Sequence, residues 1–136
     1  MSTSNVSFPA ITWSANTSSW TYKDNEVPYV PAPLKTILPA LKGDLYTAHK
    51  MMLEDKESVK KAEIEVENIN GAILLLSGKN DDQWPATEMS DQLIKRLNSK
   101  NFKYYFEHIK LDGGHIAPLE HFNLVYDFLD KHLPTE

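Results

Sequence analysis

Two short stretches hold the residues that could do chemistry. "SGKNDDQWP" (77–85) carries two carboxylates, Asp81 and Asp82, and "LDGGHIAP" (111–118) carries His115 behind a glycine pair. Histidine titrates near neutrality, so it can take a proton from a nucleophile and return it to a leaving group. A carboxylate beside it selects the useful tautomer and stabilises the charged ring. Gly113 and Gly114 allow the backbone to turn tightly before the histidine. Asp81 is the preferred acid, because Gly78 and Pro85 bracket it in the spacing G-x-x-D-x-x-x-P; Asp82 is the alternative. Gln83 and Trp84, in the same loop, are candidate substrate contacts. His49, His108, His121 and His132 are expected to be surface or packing residues. No pair of them has a metal-ligand spacing, so no metal and no cofactor is expected.

The elements around these loops predict how they meet. "AILLL" (72–76) is a continuous apolar run, the mark of a strand buried on both faces. "ATEMSDQLIKRLNS" (86–99) is an amphipathic helix with Met89, Leu93, Ile94 and Leu97 on one face. "NFKYYFEHIKL" (101–111) reads as a second strand, and 118–133 as a last helix with Phe122, Val125, Phe128 and Leu129 inward. Residues 69–136 are thus a strand–helix–strand–helix unit, which wants a parallel sheet. Ligands gather at the carboxyl ends of such strands, and both chemistry-bearing loops leave from there.

The preceding part is less regular. Residues 1–42 read as an irregular excursion with one candidate strand at 6–13, which Pro9 weakens, and with Trp20, Tyr22 and Tyr29 as aromatic anchors. Residues 43–62 read as one helix, and 63–68 as a short extended approach to the buried strand. The expectation is a single α/β domain over 1–136, with about three parallel strands and flanking helices.

A carboxylate after one strand and a histidine after the next is the order of the later triad members in the α/β-hydrolase fold, Ser then Asp or Glu then His. The nucleophile of that fold sits in G-x-S-x-G. The five glycines here are Gly43, Gly71, Gly78, Gly113 and Gly114, and no two are four residues apart. The elbow therefore cannot be written anywhere in the sequence. Ser77 lies on the acid's own strand, and Ser18 and Ser19 lack a strand–elbow–helix context.

Composition sets outer limits. At 136 residues the chain is long enough for one core. A net charge of −5 with no basic run argues against a nucleic-acid partner and a polybasic membrane anchor. The absence of cysteine removes disulfides, thiolate metal sites and a cysteine nucleophile together. No secretory leader is recognisable at the amino terminus and no apolar run is long enough to span a bilayer, so a cytoplasmic setting is the simpler expectation.

Residues 69–115, "INGAILLLSGKNDDQWPATEMSDQLIKRLNSKNFKYYFEHIKLDGGH", resemble the C-terminal domain shared by acyl-CoA thioester hydrolases and bile acid-CoA:amino acid N-acyltransferases. Bacterial members of this dienelactone-hydrolase-like group often read I-x-G-P-I-L-L-I-S-G-x-D-D-x-x-W-P, and later H-L-x-Y-x-G-A-G-H. "SSWTYKDNEVPYVP" (18–31) is similar to a segment that such enzymes carry between the nucleophile strand and the acid strand. Ala72 and Gly114 stand where Pro and Ala are common. The resemblance implies the C-terminal part of an α/β-hydrolase, with Asp81 and His115 as acid and base and a thioester or ester of a medium or long acyl group as substrate. It implies that serine, oxyanion hole and half the sheet belong to an amino-terminal half outside these residues. The expectation is then a truncated gene product, a fragment or one half of a split enzyme, inactive alone. The partner would be a complementing amino-terminal half or a second copy of the chain. The alternative is a non-catalytic module that associates through its exposed sheet.

Overall fold

A computed structural model describes residues 3–10 and 17–133 of the chain. It divides into two compact units, one of residues 1–3, 66–81 and 86–136, the other of 4–65 and 82–85. The first carries the regular α/β structure. Strands β3 (Ile73–Gly78) and β4 (Phe106–Leu111) pair in parallel, in a register that runs from Ile73 opposite Phe106 to Gly78 opposite Leu111. Helix α4 (Ala86–Ser99) lies between them in sequence, with the bounds its periodicity predicts. Successive strand side chains point to opposite faces, and both faces of β3 are covered. Ile73 and Leu75 pack with Leu93 and Leu97 of α4, Val66 and Phe102. Leu74 and Leu76 pack with Ile109, Leu111, Ala117, Leu124 and Val125. This two-sided burial is why residues 72–76 read as an unbroken apolar run.

The carboxyl-terminal helix is broken where the sequence pattern predicts continuity. Helix α5 spans Ala117–Glu120 and α6 spans Phe122–His132, with His121 out of helical geometry between them. The His121 ring Nδ1–H donates to the Ala117 carbonyl at 2.9 Å, which satisfies a group that the break would leave open. Of the four residues expected inward, Val125 packs on the sheet, whereas Phe122 and Leu129 are exposed, as are Tyr126 and Leu133.

Arg96 of α4 and Glu67 form a two-pronged ion pair, with Nη2 to Oε1 at 2.6 Å. The hydrogen bond from Arg96 holds the Glu67 carboxyl down at about 2. A carboxyl with a depressed folded value stabilises the fold above its unfolded value and loses that contribution as pH falls. We therefore expect stability to drop between about pH 4.5 and about pH 2. Urea titrations across that window should show a smaller drop in Glu67→Gln than in the natural chain.

The second unit departs further from the sequence expectation. The strand expected at 6–13 forms only isolated antiparallel bridges among its described residues, Val6 with Glu63 and Pro9 with Ser18; residues 11–13 lie outside the described residues. Proline offers no N–H to extend a ladder, and the two bridges face different partners. Among the described residues the parallel sheet accordingly has two strands, where about three are expected. Strands β1 (Thr21–Tyr22) and β2 (Asn25–Glu26) form a small antiparallel hairpin, and Lys23 and Asp24 take positive φ at its turn. Trp20 and Tyr22 are each 68% exposed, so they are not the anchors of this segment; Val30 is, fully buried with its N–H on the Ser7 carbonyl. A 3-10 turn (Leu34–Thr36) leads into α1 (Ile37–Leu41). The helix expected over 43–62 is two, α2 (Leu45–Met52) and α3 (Lys56–Lys61). The first ends at Met52 with Leu53 as its cap, and Asp55 caps the second, accepting from the Ser58 N–H at 3.1 Å. Val6, Val30, Met52 and Ala62 form this unit's core. In the approach to β3, Glu63 takes part in the bridge and Val66–Asn68 form a 3-10 turn rather than extended chain.

Candidate acid–base site

The parallel register of β3 and β4 carries both chemistry-bearing loops to one end of the sheet. The Lys79 N–H donates to the Leu111 carbonyl at 2.9 Å and the Asn80 N–H to the Gly113 carbonyl at 3.0 Å, so the two turns are tied backbone to backbone. Gly78 permits this approach: a Cβ built there would stand 2.1 Å from the Gly114 carbonyl oxygen. Gly113 has φ +127, a conformation that side chains disfavour. Gly78→Ala should therefore force the loops apart, costing about 1–3 kcal/mol as other overpacked sites do. A lowered denaturation midpoint with the slope unchanged would measure it.

The ring of His115 meets the carboxylate of Asp81. Nδ1 lies 3.1 Å from Oδ1 and 3.0 Å from Oδ2. The Asp81 side chain is almost wholly buried, and that of His115 is about one third exposed. With Asp81 ionised, the proton belongs on Nδ1, which donates to both oxygens and leaves the lone pair on Nε2. Such a ring is oriented to accept a proton at Nε2. Asp82 is exposed and accepts a 3.4 Å hydrogen bond from the Gln83 amide. Gln83 and Trp84 belong to the other compact unit, where they are held by His49. Its Nδ1–H lies 2.9 Å from both the Leu45 and the Gln83 carbonyls, and its ring stands edge-on to Trp84, which stacks on Phe8. The packing role expected of His49 is thus specific.

A second histidine network, absent from the sequence reading, lies beneath the acid turn. His108 of β4 has a side chain only 4% exposed. Its Nδ1 lies 3.0 Å from Asp91 Oδ1 and its Nε2 lies 2.7 Å from Ser77 Oγ. Lys110 donates to the other Asp91 oxygen at 2.8 Å, and Ser77 Oγ is 2.9 Å from Thr87 Oγ1. This resembles a nucleophile–base–acid set in its distances, but Ser77 is 0% exposed and its oxygen is already engaged twice. No substrate carbonyl reaches it there. The signal that could have revealed the network is alternation along β4: His108 stands opposite Leu75 in register, on the face covered by α4, where a polar ring must find partners. Among the described residues no cluster of three or more His, Cys, Asp or Glu could hold a metal ion, and no helix is long and apolar enough to cross a membrane.

A buried carboxylate bonded to a histidine stands just beyond two adjacent parallel strands, in a fold that is a partial α/β one. The family model described as BAAT / acyl-CoA thioester hydrolase C terminal matches residues 6–132, and the chain belongs to that family. No curated protein matches it, and no solved structure does.

Proposed function

We propose that this domain supplies the acid and the base of an α/β-hydrolase site that cleaves or transfers acyl groups from thioesters or esters. The observation that carries the reading is the buried Asp81 carboxylate on His115 Nδ1 at 3.0–3.1 Å. In this reading Nε2 of His115 takes the proton of a nucleophile as it attacks the acyl carbon. The carbonyl carbon gains a bond and its oxygen takes the electron pair. When the thiolate or alkoxide leaves, Nε2 returns the proton to it. Asp81 keeps the ring in the Nδ1–H tautomer and offsets the charge it gains. The nucleophile is supplied from outside these 136 residues, since no G-x-S-x-G can be written in them. Gln83 and Trp84, which follow the acid in sequence, are candidate contacts for the acyl substrate, and Asp82 is the alternative acid. The partner that fits is a domain carrying the elbow serine. The test is turnover of an acyl-CoA series by the chain mixed with such a domain from a family member. Activity that needs both parts and falls sharply in Asp81→Asn supports the reading, and activity indifferent to Asp81→Asn removes it.

A second reading is a non-catalytic module that self-associates. It is favoured by the exposed apolar residues Leu119, Phe122, Tyr126 and Leu133 along α5 and α6. A second copy of the chain is the occupant proposed for that face, because symmetric dimers are the commonest oligomers. Sedimentation should then give a dimer that Phe122→Glu dissociates; a monomer at high concentration removes the reading.

A further inference from the structure

The buried network beneath the acid turn poses a problem of proton counting. Four polar contacts run in a line: Asp91 Oδ1 to His108 Nδ1, Nε2 to Ser77 Oγ, Ser77 Oγ to Thr87 Oγ1, and Thr87 Oγ1 to the Gly78 carbonyl at 3.2 Å. Each contact needs one hydrogen between its two atoms. A neutral imidazole with its proton on Nδ1 provides one toward Asp91, and each hydroxyl provides one more. The line is then one hydrogen short. Ser77 must donate to Nε2, and Thr87 must choose between Ser77 and the Gly78 carbonyl. A ring protonated on both nitrogens removes the shortage. Nε2–H then donates to Ser77, Ser77 to Thr87, and Thr87 to Gly78.

The end of the line matters because of where it lands. The Gly78 carbonyl belongs to the peptide whose N–H, on Lys79, holds the Leu111 carbonyl. The next amide, on Asn80, holds the Gly113 carbonyl two residues before His115. A hydrogen bond received at a carbonyl polarises its peptide and strengthens the bond that the same peptide donates. We propose that Asp91, His108, Ser77 and Thr87 form a proton-linked positioning relay, in which protonation of His108 turns the hydrogen bonds from its Nε2 onward toward the Gly78 carbonyl and tightens the peptide that ties the acid turn to the His115 loop. As a device that positions Asp81 and His115 for catalysis, it rests on the function proposed above. As a relay, it does not.

The surroundings set the pH range. Burial pushes the His108 ring below the ordinary histidine value, against the pull of Asp91, which accepts from it. Among the described groups the charges acting on the ring are Asp91 from α4 and Lys110 from β4, while β3 presents the neutral hydroxyl of Ser77. Asp91 is itself held below the usual carboxylate range by Lys110 first and His108 second, so it stays ionised while the ring titrates. The relay is therefore in its short-handed state at neutral pH, and proton uptake falls below about pH 6.5.

The experiment is an NMR titration of the full chain through that range, following the His108 ring and the Lys79 amide nitrogen together. In the natural chain the Lys79 signal should move with the same midpoint as the His108 ring. In Thr87→Val the ring should still titrate while the Lys79 response is lost. If Thr87→Val does not fold, Ser77→Ala breaks the line one link earlier with the same expected loss. A Lys79 nitrogen that stays still while His108 titrates overturns the relay. So does a Lys79 response that persists unchanged without the Thr87 hydroxyl, because His108 would then act through the general field. These signals need no activity, so a failure of the catalytic reading in the Asp81→Asn assay leaves them interpretable, and the reverse also holds.

Discussion

The purified 136-residue chain is expected to turn over acyl-CoA thioesters and p-nitrophenyl esters at the uncatalysed rate. A histidine held by a carboxylate only helps something else to attack. Among the described residues, the serine seated against a histidine is Ser77, and it is fully buried. Water activated by His115 is the remaining route. General-base assistance is worth about 10²–10⁴-fold. A missing oxyanion donor costs about 10²–10³-fold, and no elbow is present to supply one. The two effects are of similar size, so little rate is left. When a domain carrying the elbow serine is supplied, the arithmetic changes, because His115 now has a nucleophile to deprotonate. There His115→Ala should lower kcat by about 10²–10⁴-fold. Clear turnover by the chain alone, abolished in His115→Ala, would overthrow the premise that the nucleophile lies elsewhere.

Leu97→Ala should cost about 2–5 kcal/mol of folding stability, the range for a buried leucine emptied to alanine. Leu97 is wholly buried near the end of α4, where it packs with Leu93, Ile73, Leu75 and Val66. The strand on one side and the helix backbone on the other leave little freedom to collapse into the vacated space. Denaturant unfolding should show a lower midpoint with an unchanged slope. Leu119→Ala on exposed α5 is the contrast, expected within about 0.5 kcal/mol either way. A Leu119→Ala loss as large as that of Leu97→Ala would mean that this face is covered in solution, as the dimer reading requires.

Much of the α/β unit was legible before any coordinates. The run at 72–76 declared its two-sided burial, and α4 has the bounds its periodicity predicts. Asp81 and His115 could be paired because both leave the same ends of parallel strands. Legibility failed where a single local group outweighed a repeating pattern. Asp55 captured the Ser58 amide and began a second helix where one was expected. His121 bonded the Ala117 carbonyl and broke another. Pro9 and two unrelated bridging partners replaced a strand by isolated bridges. In each case the apolar periodicity continued through the break, because it records burial and does not record where a backbone hydrogen bond is diverted.

What the sequence by itself determined is the set of properties carried by neighbours in the chain: the buried strand, the amphipathic α4, the order of acid and histidine, and the impossibility of a G-x-S-x-G elbow. Which polar groups meet inside the domain was decided only by the tertiary structure. Ser77, Thr87, Asp91 and His108 come from three elements. Nothing in their spacing says that they touch. Their meeting depends on the β3–β4 register and on the rotation of α4 about its axis. A one-residue slip in register would turn His108 to the opposite face of the sheet. That choice is made by the packing of Leu93 and Leu97 against Ile73 and Leu75, an interaction between residues far apart in the chain.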